Sequence, residues 1–282
     1  VDIDKIEAVD VKKIISDQYP ALKFALETAV LDLKNGGRRL LFKNEFTKSK
    51  MPIPINGLVW MGDKSTMLER IQEKIHDGFG CIKIKIGAID FDDELELLRS
   101  IRSHFTSEEI TIRLDANGAF DQNNVYRKLD QLANNDIHSI EQPMAAGDWI
   151  AMGKVCSSSP IPVALDEELI GVSDPMLRAQ LLDEINPAFV ILKPTLVGGL
   201  KESARWIDLV ESKGIGWWIT SALESSIGLN AIAQFTSNYA ISIPQGLGTG
   251  QLFHNNFPSP LSIDKGRLYY KNSSAWNLSY LS

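Results

Sequence analysis

A repeated alternation of short β-branched runs with longer amphipathic stretches, which begins near Pro52, restricts the fold more than any other feature. Strands that alternate with helices predict parallel βαβ units. A doubly wound sheet would carry a glycine-rich phosphate loop after its first strand, and Trp60-Met61-Gly62 lacks one. A closed barrel takes about 250 residues. The pattern therefore predicts a TIM-like (β/α) barrel with strands at Ile55–Trp60, Cys81–Ile86, Thr111–Asp115, Ile137–Glu141, Pro162–Asp166, Phe189–Lys193, Gly216–Ser221 and Ile241–Pro244.

The first fifty residues have a different pattern. Apolar residues recur at helical spacing from Ala21 to Leu33, and Gly36-Gly37 ends the run. A polar, basic stretch then leads to the repeated part. We expect three regions: a helical portion with a linker at residues 1–50, the catalytic barrel at residues 51–250, and a C-terminal segment at residues 251–282 that returns toward the first region.

Charge and cysteine content limit the partners and the compartment. The formal net charge is −7 and the sequence pI is about 5.2, whereas a nucleic-acid binder needs a basic stripe. Two cysteines occur, Cys81 and Cys156, in unrelated contexts, which is not a disulfide framework. No apolar run reaches the roughly 20 residues that span a bilayer. We therefore expect a cytoplasmic protein that binds neither nucleic acid nor membrane.

Three carboxylates stand at the C-terminal ends of successive predicted strands. These are Asp115, Glu141 and Asp166, and the interval between neighbours is about 25 residues, the length of one βα unit. Catalytic residues of a barrel collect at this end of the strands. Three converging carboxylates repel one another, and a hard divalent cation would resolve the repulsion. All-oxygen ligation favours Mg²⁺, with Mn²⁺ as the alternative; for each acid alone, a helix cap or a solvated loop position is the competing interpretation.

Lysines accompany these carboxylates. Lys83 and Lys85 alternate with isoleucines, so both point to one face of their strand. Two lysines on the inward face of a barrel strand would be costly to bury without a purpose. Lys193 enters from a strand near the opposite side of the ring. A metal flanked by two amines suits proton transfer at carbon.

The ordered set of motifs resembles the enolase superfamily, in which a lysine base works together with Mg²⁺. The match runs from about Ala21 to Gly250 and includes the Lys-x-Lys, Asp-Ala-Asn, Glu-Gln-Pro, Leu-Asp-Glu and Leu-Lys-Pro motifs. The resemblance implies a modified barrel and an N-terminal α+β capping domain. About twenty residues precede the first helix, so we expect that capping domain as a remnant or in truncated form. By the same resemblance the metal ligands are Asp115, Glu141 and Asp166, the acid/base pair is Lys85 and Lys193, and Lys83 has a supporting role.

Within the superfamily, lysines on both sides resemble the muconate-lactonizing-enzyme-like subgroup, and most of all the o-succinylbenzoate synthase family. The motifs that carry this are Asn-Gly-Leu-Val-Trp in the first strand, Gly-Gly-Leu after Leu-Lys-Pro, and Ser-Ala-Leu-Glu-Ser-Ser. The resemblance implies a Mg²⁺-dependent carbon–oxygen lyase of menaquinone biosynthesis. Such an enzyme dehydrates 2-succinyl-6-hydroxy-2,4-cyclohexadiene-1-carboxylate to 2-succinylbenzoate through a metal-stabilised enediolate. Lys85 would take the α-proton and protonate the departing hydroxyl, and Lys193 would act chiefly by electrostatic stabilisation.

Three further residues are candidates for binding the small-molecule carboxylate substrate. Arg113 shares a face with Asp115 and could reach the carboxylate; a salt bridge to a metal ligand fits it equally well. Ser221 could bond the succinyl group, with a structural turn as its alternative. Gly248, in the glycine-rich turn after the last predicted strand, offers backbone N–H groups to an anion.

Two other functions compete with the lyase, and the sequence leaves room for a homo-oligomer. An N-acylamino acid racemase or a dipeptide epimerase uses the same carboxylates with lysines on both faces, and Lys85 and Lys193 would then exchange roles as base and acid. The Gly-Thr-Gly at Gly248–Gly250 is not the aspartate-rich motif expected for a dipeptide ammonium. From another class, the chain could be a non-catalytic barrel that binds a ligand, although binding would not require two opposed lysines.

Overall fold

A computed structural model describes residues 14–279 of the chain. The chain divides into two compact units. The first unit consists of the described parts of Val1–Ile55 and Trp218–Ser282 together with Leu192–Asp208, and the second unit consists of Asn56–Ile191 and Leu209–Trp217. Between residues 14 and 279, no helix is both long enough and apolar enough to cross a bilayer. The predicted domain boundaries near residues 50 and 250 stay a prediction.

Helices and strands alternate along most of the described chain. The helices are α1 Pro20–Lys34, α2 Lys64–His76, α3 Phe91–Arg102, α4 Val125–Ala133, α5 Trp149–Ser158, α6 Pro175–Ile185, α7 Pro194–Val197, α8 Leu200–Ser212 and α9 Ser226–Thr236. The strands are β1 Ile53–Pro54, β2 Gly57–Val59, β3 Cys81–Lys85, β4 Thr111–Asp115, β5 Ile137–Glu141, β6 Val163–Leu165, β7 Phe189–Leu192, β8 Gly216–Ile219, β9 Leu261–Asp264 and β10 Arg267–Tyr270. Short 3₁₀ turns lie at Glu167–Leu169 and Thr249–Leu252.

The strands β2 to β8 form one sheet of 7 strands in which neighbours follow the order of the sequence. Every pair from β2 to β7 is parallel. This is the arrangement that successive βαβ units produce, and it confirms the predicted modified (β/α) barrel fold. In such a sheet the C-terminal ends of the strands lie at one edge, and in the second unit Lys85, Asp115 and Glu141 end their strands there.

The prediction of an eighth strand at Ile241–Pro244 is wrong. In its place, single bridges join Gln245 to Ile55 and Gly246 to Thr220. Pro244 has no N–H to donate to a ladder, and glycines follow shortly after it. Backbone pairing at this point is therefore limited to isolated bridges within the first unit.

The first unit also contains a small antiparallel sheet with the strand order β1-β10-β9. Ile53 pairs with Leu268 and Pro54 pairs with Arg267. Ser49 adds a hydrogen bond from its Oγ to the carbonyl oxygen of Tyr270, at 2.5 Å. The C-terminal segment is thus fastened to residues just before β2.

Side-chain alternation explains the core of the second unit. In β3 the isoleucines at 82 and 84 are almost fully buried, and so are Ile112, Leu114 and Ile140 in the neighbouring strands. The helix α4 covers the sheet with Val125, Leu129 and Leu132, which are fully buried and spaced at one face of a helix. Burial of each such side chain contributes roughly 1.5–3 kcal/mol. Because these apolar side chains pack on one face of the strands, the ionisable residues that alternate with them lie on the opposite face.

Candidate active site

A shift in strand register brings the predicted carboxylates together. Ile112 of β4 pairs with Ile137 of β5, but the pairing slips by one residue immediately afterwards, so that Asp115 lies opposite Glu141. Without the slip, Asp115 would face Ile140, whose side chain points to the helix side of the sheet. Such a register shift is typical of a β-bulge, a device that re-aims side chains next to active sites. Here it places two carboxylates side by side on the inward face.

Ammonium groups from β3 bind these carboxylates. The Nζ of Lys83 donates to Asp115 Oδ2 at 2.9 Å and to Glu141 Oε2 at 2.8 Å. The Nζ of Lys85 donates to the same Asp115 oxygen at 2.8 Å and to Asn117 Oδ1 at 2.5 Å. Asp115 is fully buried and Glu141 is almost so. The two lysines therefore supply the countercharge that makes burial of these carboxylates tolerable.

The pKa values show which electrostatic effect dominates. Burial disfavours the charge on Lys83, but the adjacent Glu141 and Asp115 carboxylates outweigh burial and raise the pKa of this lysine. Burial would raise the pKa of Asp115, yet the ammonium groups of Lys83 and Lys85 hold it below its usual range. Attraction between opposite charges thus wins over desolvation at both groups, and Lys83 and Asp115 are an ion pair at neutral pH.

The third predicted carboxylate, Asp166, follows β6 and is also buried. Its backbone N–H donates to Gln142 Oε1 at 3.2 Å, which ties the end of β6 to the residue after Glu141. Within residues 14–279, no group of three or more histidine, cysteine, aspartate or glutamate side chains is gathered closely enough to hold a metal ion. The donor chemistry nevertheless fits a hard divalent cation, because the three acids offer only oxygen and lie buried at the ends of consecutive strands.

Asn117 belongs to the site although the sequence analysis gave it no role. Besides accepting the bond from Lys85, it donates from Nδ2 to Glu167 Oε1 at 3.0 Å. Its backbone is left-handed, with φ of 43°, a conformation that asparagine tolerates better than most residues. The signal that could have identified Asn117 is the Asp-Ala-Asn-Gly motif, because asparagine followed by glycine is typical of a turn. This turn brings the Asn117 amide next to Lys85.

Arg113 occupies the next inward position before Asp115 along β4. It lies level with Lys83 of β3 and Ser139 of β5, and its side chain is only 1% exposed. Burial lowers the pKa of the guanidinium, while Cys81 and Glu141 act to raise it. The charge of Arg113 thus interacts with that of Glu141, a predicted metal ligand, from within the sheet. Its contact with substrate stays a prediction.

The other predicted residues, Lys193, Ser221 and Gly248, belong to the first unit. Lys193 follows directly after β7. The hydroxyl of Ser221 lies 2.5 Å from that of Thr249 and accepts the backbone N–H of Leu223 at 3.1 Å. Gly248 precedes the 3₁₀ turn that begins at Thr249. Ser221 and the turn after Gly248 are thus joined, and the roles of all three residues stay predictions.

Comparison with known proteins is consistent with this geometry. Residues 66–273 match the model of the family "Enolase C-terminal domain-like". An o-succinylbenzoate synthase of Desulfotalea psychrophila is 51% identical over 251 residues, which are 89% of this chain and 68% of that protein. The crystal structure of MenC from Desulfotalea psychrophila superposes with a TM-score of 0.87 at 47% identity, and the match covers 95% of this chain and 74% of that one.

More distant relatives also match this chain. An L-Ala-D/L-amino acid epimerase of a Maribacter species is 31% identical over 64% of this chain and 49% of its own length. The muconate lactonizing enzyme from Pseudomonas putida has a TM-score of 0.78 at 20% identity, over 95% of this chain and 75% of that one. Enzymes of this family generally use a divalent metal. The predicted resemblance is confirmed: this chain belongs to the enolase C-terminal domain-like family.

Proposed function

We propose that this chain is a Mg²⁺-dependent lyase that dehydrates 2-succinyl-6-hydroxy-2,4-cyclohexadiene-1-carboxylate to 2-succinylbenzoate. The observation that carries the proposal is the position of Lys85, whose Nζ lies at the end of β3 and is bound to the buried Asp115. The 51% identity to an o-succinylbenzoate synthase supports the substrate. The similarity to MenC supports a place in menaquinone biosynthesis, and the cytoplasmic location is part of the same proposal.

Lys85 is assigned to both proton transfers. As the free amine it takes the proton from the carbon next to the substrate carboxylate. The electron pair of that C–H bond becomes a new C=C bond as the C–O bond of the ring hydroxyl breaks. The ammonium form of Lys85 then returns its proton to the departing oxygen, so that water leaves and the ring becomes aromatic. Asn117 and Asp115 hold the Nζ in place between these two steps, since each accepts a hydrogen bond from it.

The remaining residues neutralise or stabilise charge in the site. Lys83 neutralises Asp115 and Glu141 from within the sheet and keeps the three groups in register. Asp115, Glu141 and Asp166 are the residues that would hold Mg²⁺. When bound there, the cation supplies positive charge to the substrate carboxylate, which stabilises the negative charge that develops upon proton removal. Lys193 is assigned to electrostatic stabilisation of that same charge.

A racemase or epimerase is the second candidate. The observation that favours it is the 31% identity to an L-Ala-D/L-amino acid epimerase. In that function Lys85 and Lys193 would each exchange a proton with an α-carbon, and no bond to oxygen would break. Lys193 separates the two functions experimentally. Elimination needs only Lys85 as a proton carrier, whereas racemisation needs both Lys85 and Lys193.

Ultraviolet absorbance of the product tests the proposal. The substrate is incubated with the protein in Mg²⁺ and, separately, in EDTA, and the variants Lys85→Ala and Lys64→Ala are assayed in parallel. Lys64 is the matched control, because its ammonium makes ion pairs with Asp93 and Glu96 on exposed positions of α2 and α3. We expect metal-dependent turnover that falls by roughly 10³-fold or more in Lys85→Ala and is unchanged in Lys64→Ala.

The outcomes separate the candidates. Absence of turnover, with exchange of the α-proton of N-acylamino acids or dipeptides in D₂O, would replace the lyase by the epimerase. Absence of both reactions and of Mg²⁺ binding by calorimetry would leave a barrel that binds a ligand without catalysis. Full activity in EDTA would contradict the assigned role of the three carboxylates.

A further inference from the structure

Trp60 lies beside Lys85, the residue that is assigned to both proton transfers. It follows β2 directly, just as Lys85 follows Ile84 in β3, and Val59 with Ile84 is the last pair of these two strands. By strand alternation Lys85 shares the face of Lys83, and the Trp60 ring lies next to its ammonium at the C-terminal end of the strands. The proposed function assigns no role to this residue.

The indole ring lies against the ammonium group. The Nζ of Lys85 is 5.1 Å from the centroid of the Trp60 ring, within the range of a cation–π contact. Trp60 is nevertheless 39% exposed, although Val59 just before it in the chain is fully buried. The ring thus presents a flat, apolar surface beside the nitrogen that is assigned to proton transfer.

The backbone that carries this indole is fixed by the helix α2. Arg70 donates from one guanidinium nitrogen to the carbonyl oxygens of Trp60, at 2.9 Å, and of Met61, at 2.7 Å. Gly62 allows this approach, since a Cβ there would lie 3.2 Å from the same nitrogen. The backbone from which the ring extends is therefore held in place without a ligand, although the ring surface is exposed.

We propose that Trp60 is the residue that recognises the six-membered ring of the substrate and of the product. This inference rests on the proposed function. Lys85 must approach a ring carbon of the substrate, so a ring that places this carbon at the Nζ lies beside the indole. Offset stacking of two rings is favourable, and the product ring, once aromatic, is flatter than the substrate ring. The succinyl chain, which has no ring, does not gain from this contact.

Calorimetric titration tests the proposal with two probes, 2-succinylbenzoate and succinate, in Mg²⁺. The variants are Trp60→Leu, which removes the aromatic face, and Trp60→Phe, which keeps one. Tyr126→Leu is the matched control, because Tyr126 is an aromatic residue of α4 with a similar exposure of 42%. We expect Trp60→Leu to weaken 2-succinylbenzoate about tenfold and Trp60→Phe to weaken it about threefold. Succinate affinity should change less than about twofold in all variants.

Three results would overturn the role of Trp60. They are an unchanged affinity of Trp60→Leu for 2-succinylbenzoate, an equal loss for succinate, and no binding of 2-succinylbenzoate by the unmodified protein. The turnover assay of the unmodified protein decides the proposed function separately. Turnover together with an unchanged affinity of Trp60→Leu leaves the lyase in place and removes only the ring-recognition role. Ring-selective binding without turnover retains Trp60 as a recognition residue and removes the lyase.

Discussion

Asp115 in the second unit and Glu27 in the first unit are both buried carboxylates, but their surroundings differ. The oxygens of Asp115 accept ammonium donors from Lys83 and Lys85. Glu27 instead accepts the backbone N–H groups of Leu200 at 2.6 Å and of Lys201 at 3.3 Å. The pKa of Asp115 is lowered by the lysines, whereas burial raises the pKa of Glu27 against the effect of its backbone donors.

The difference separates a chemical site from a structural one. Glu27 caps the start of α8, where free N–H groups and the helix dipole favour an acceptor. Glu94 behaves in the same way, because burial raises its pKa although it accepts the N–H of Gly87 at 2.5 Å. The cluster of Lys83, Lys85, Asp115 and Glu141 instead concentrates full charges of both signs. Buried acids alone therefore do not indicate catalysis; buried acids with buried lysines do so far better.

The largest expected loss of stability is that of Lys83→Met. This change leaves Asp115 and Glu141 without their shared ammonium, and breaking a buried ion pair from one side costs about 3–5 kcal/mol. Urea denaturation should show that loss in the free energy of unfolding, and turnover should fall by on the order of 10²-fold or more. Lys64→Met, at an exposed pair, should leave the free energy of unfolding nearly unchanged. Equal stability of the two variants would remove the distinction between the charged cluster and an ordinary surface pair.

Glu27→Ala should have the next largest effect. The variant leaves the N–H groups of Leu200 and Lys201 without this acceptor, which costs about 1–3 kcal/mol in the free energy of unfolding. Because the role of Glu27 is structural, kcat/KM at saturating metal should change less than about threefold. A large fall in kcat with unchanged stability would place Glu27 in the chemistry and contradict the comparison.

His138 tests the role of countercharge with a half-buried base, whose charged form is opposed both by burial and by a positive neighbour. Burial, helped by the charge of Arg113, lowers its pKa to about 4 from 6.5. Between these values the unfolded chain binds the proton more readily, so His138 lowers stability as the pH falls from about 6.5 toward 4. We expect about 1–2 kcal/mol less acid destabilisation in His138→Gln, measured by urea denaturation at several pH values. Parallel curves for both proteins would show that the imidazole titrates normally.

The smallest loss of stability is expected for Glu27→Gln. The amide oxygen still accepts from the two backbone N–H groups, and the raised pKa shows that Glu27 gains little from its charge. The change in unfolding free energy should be below about 1 kcal/mol. The equivalent replacement Asp115→Asn should abolish turnover, because the lysines of the cluster require a negative partner. Similar outcomes at the two positions would mean that countercharge is not what distinguishes them.

Much of the fold and of the site could be predicted because it depends on local patterns. The bounds of β4 and β5, Thr111–Asp115 and Ile137–Glu141, agree with the prediction, since both are β-branched runs with turn residues behind them. The helix α1 also agrees to within a residue at each end. Ile241–Pro244 failed because apolar, β-branched composition says nothing about whether a neighbouring strand edge is available to pair with it.

The sequence by itself determined which residue types stand at the ends of the strands and that Lys83 and Lys85 share a face, since alternation in a strand has a period of two. Only the tertiary structure decided that Asp115 lies opposite Glu141, because the pairing register slips after Ile112. It also decided that the Trp60 ring lies over the Lys85 ammonium. The physical reason is that register between strands separated by a whole helix depends on packing against other elements, and no local spacing encodes it.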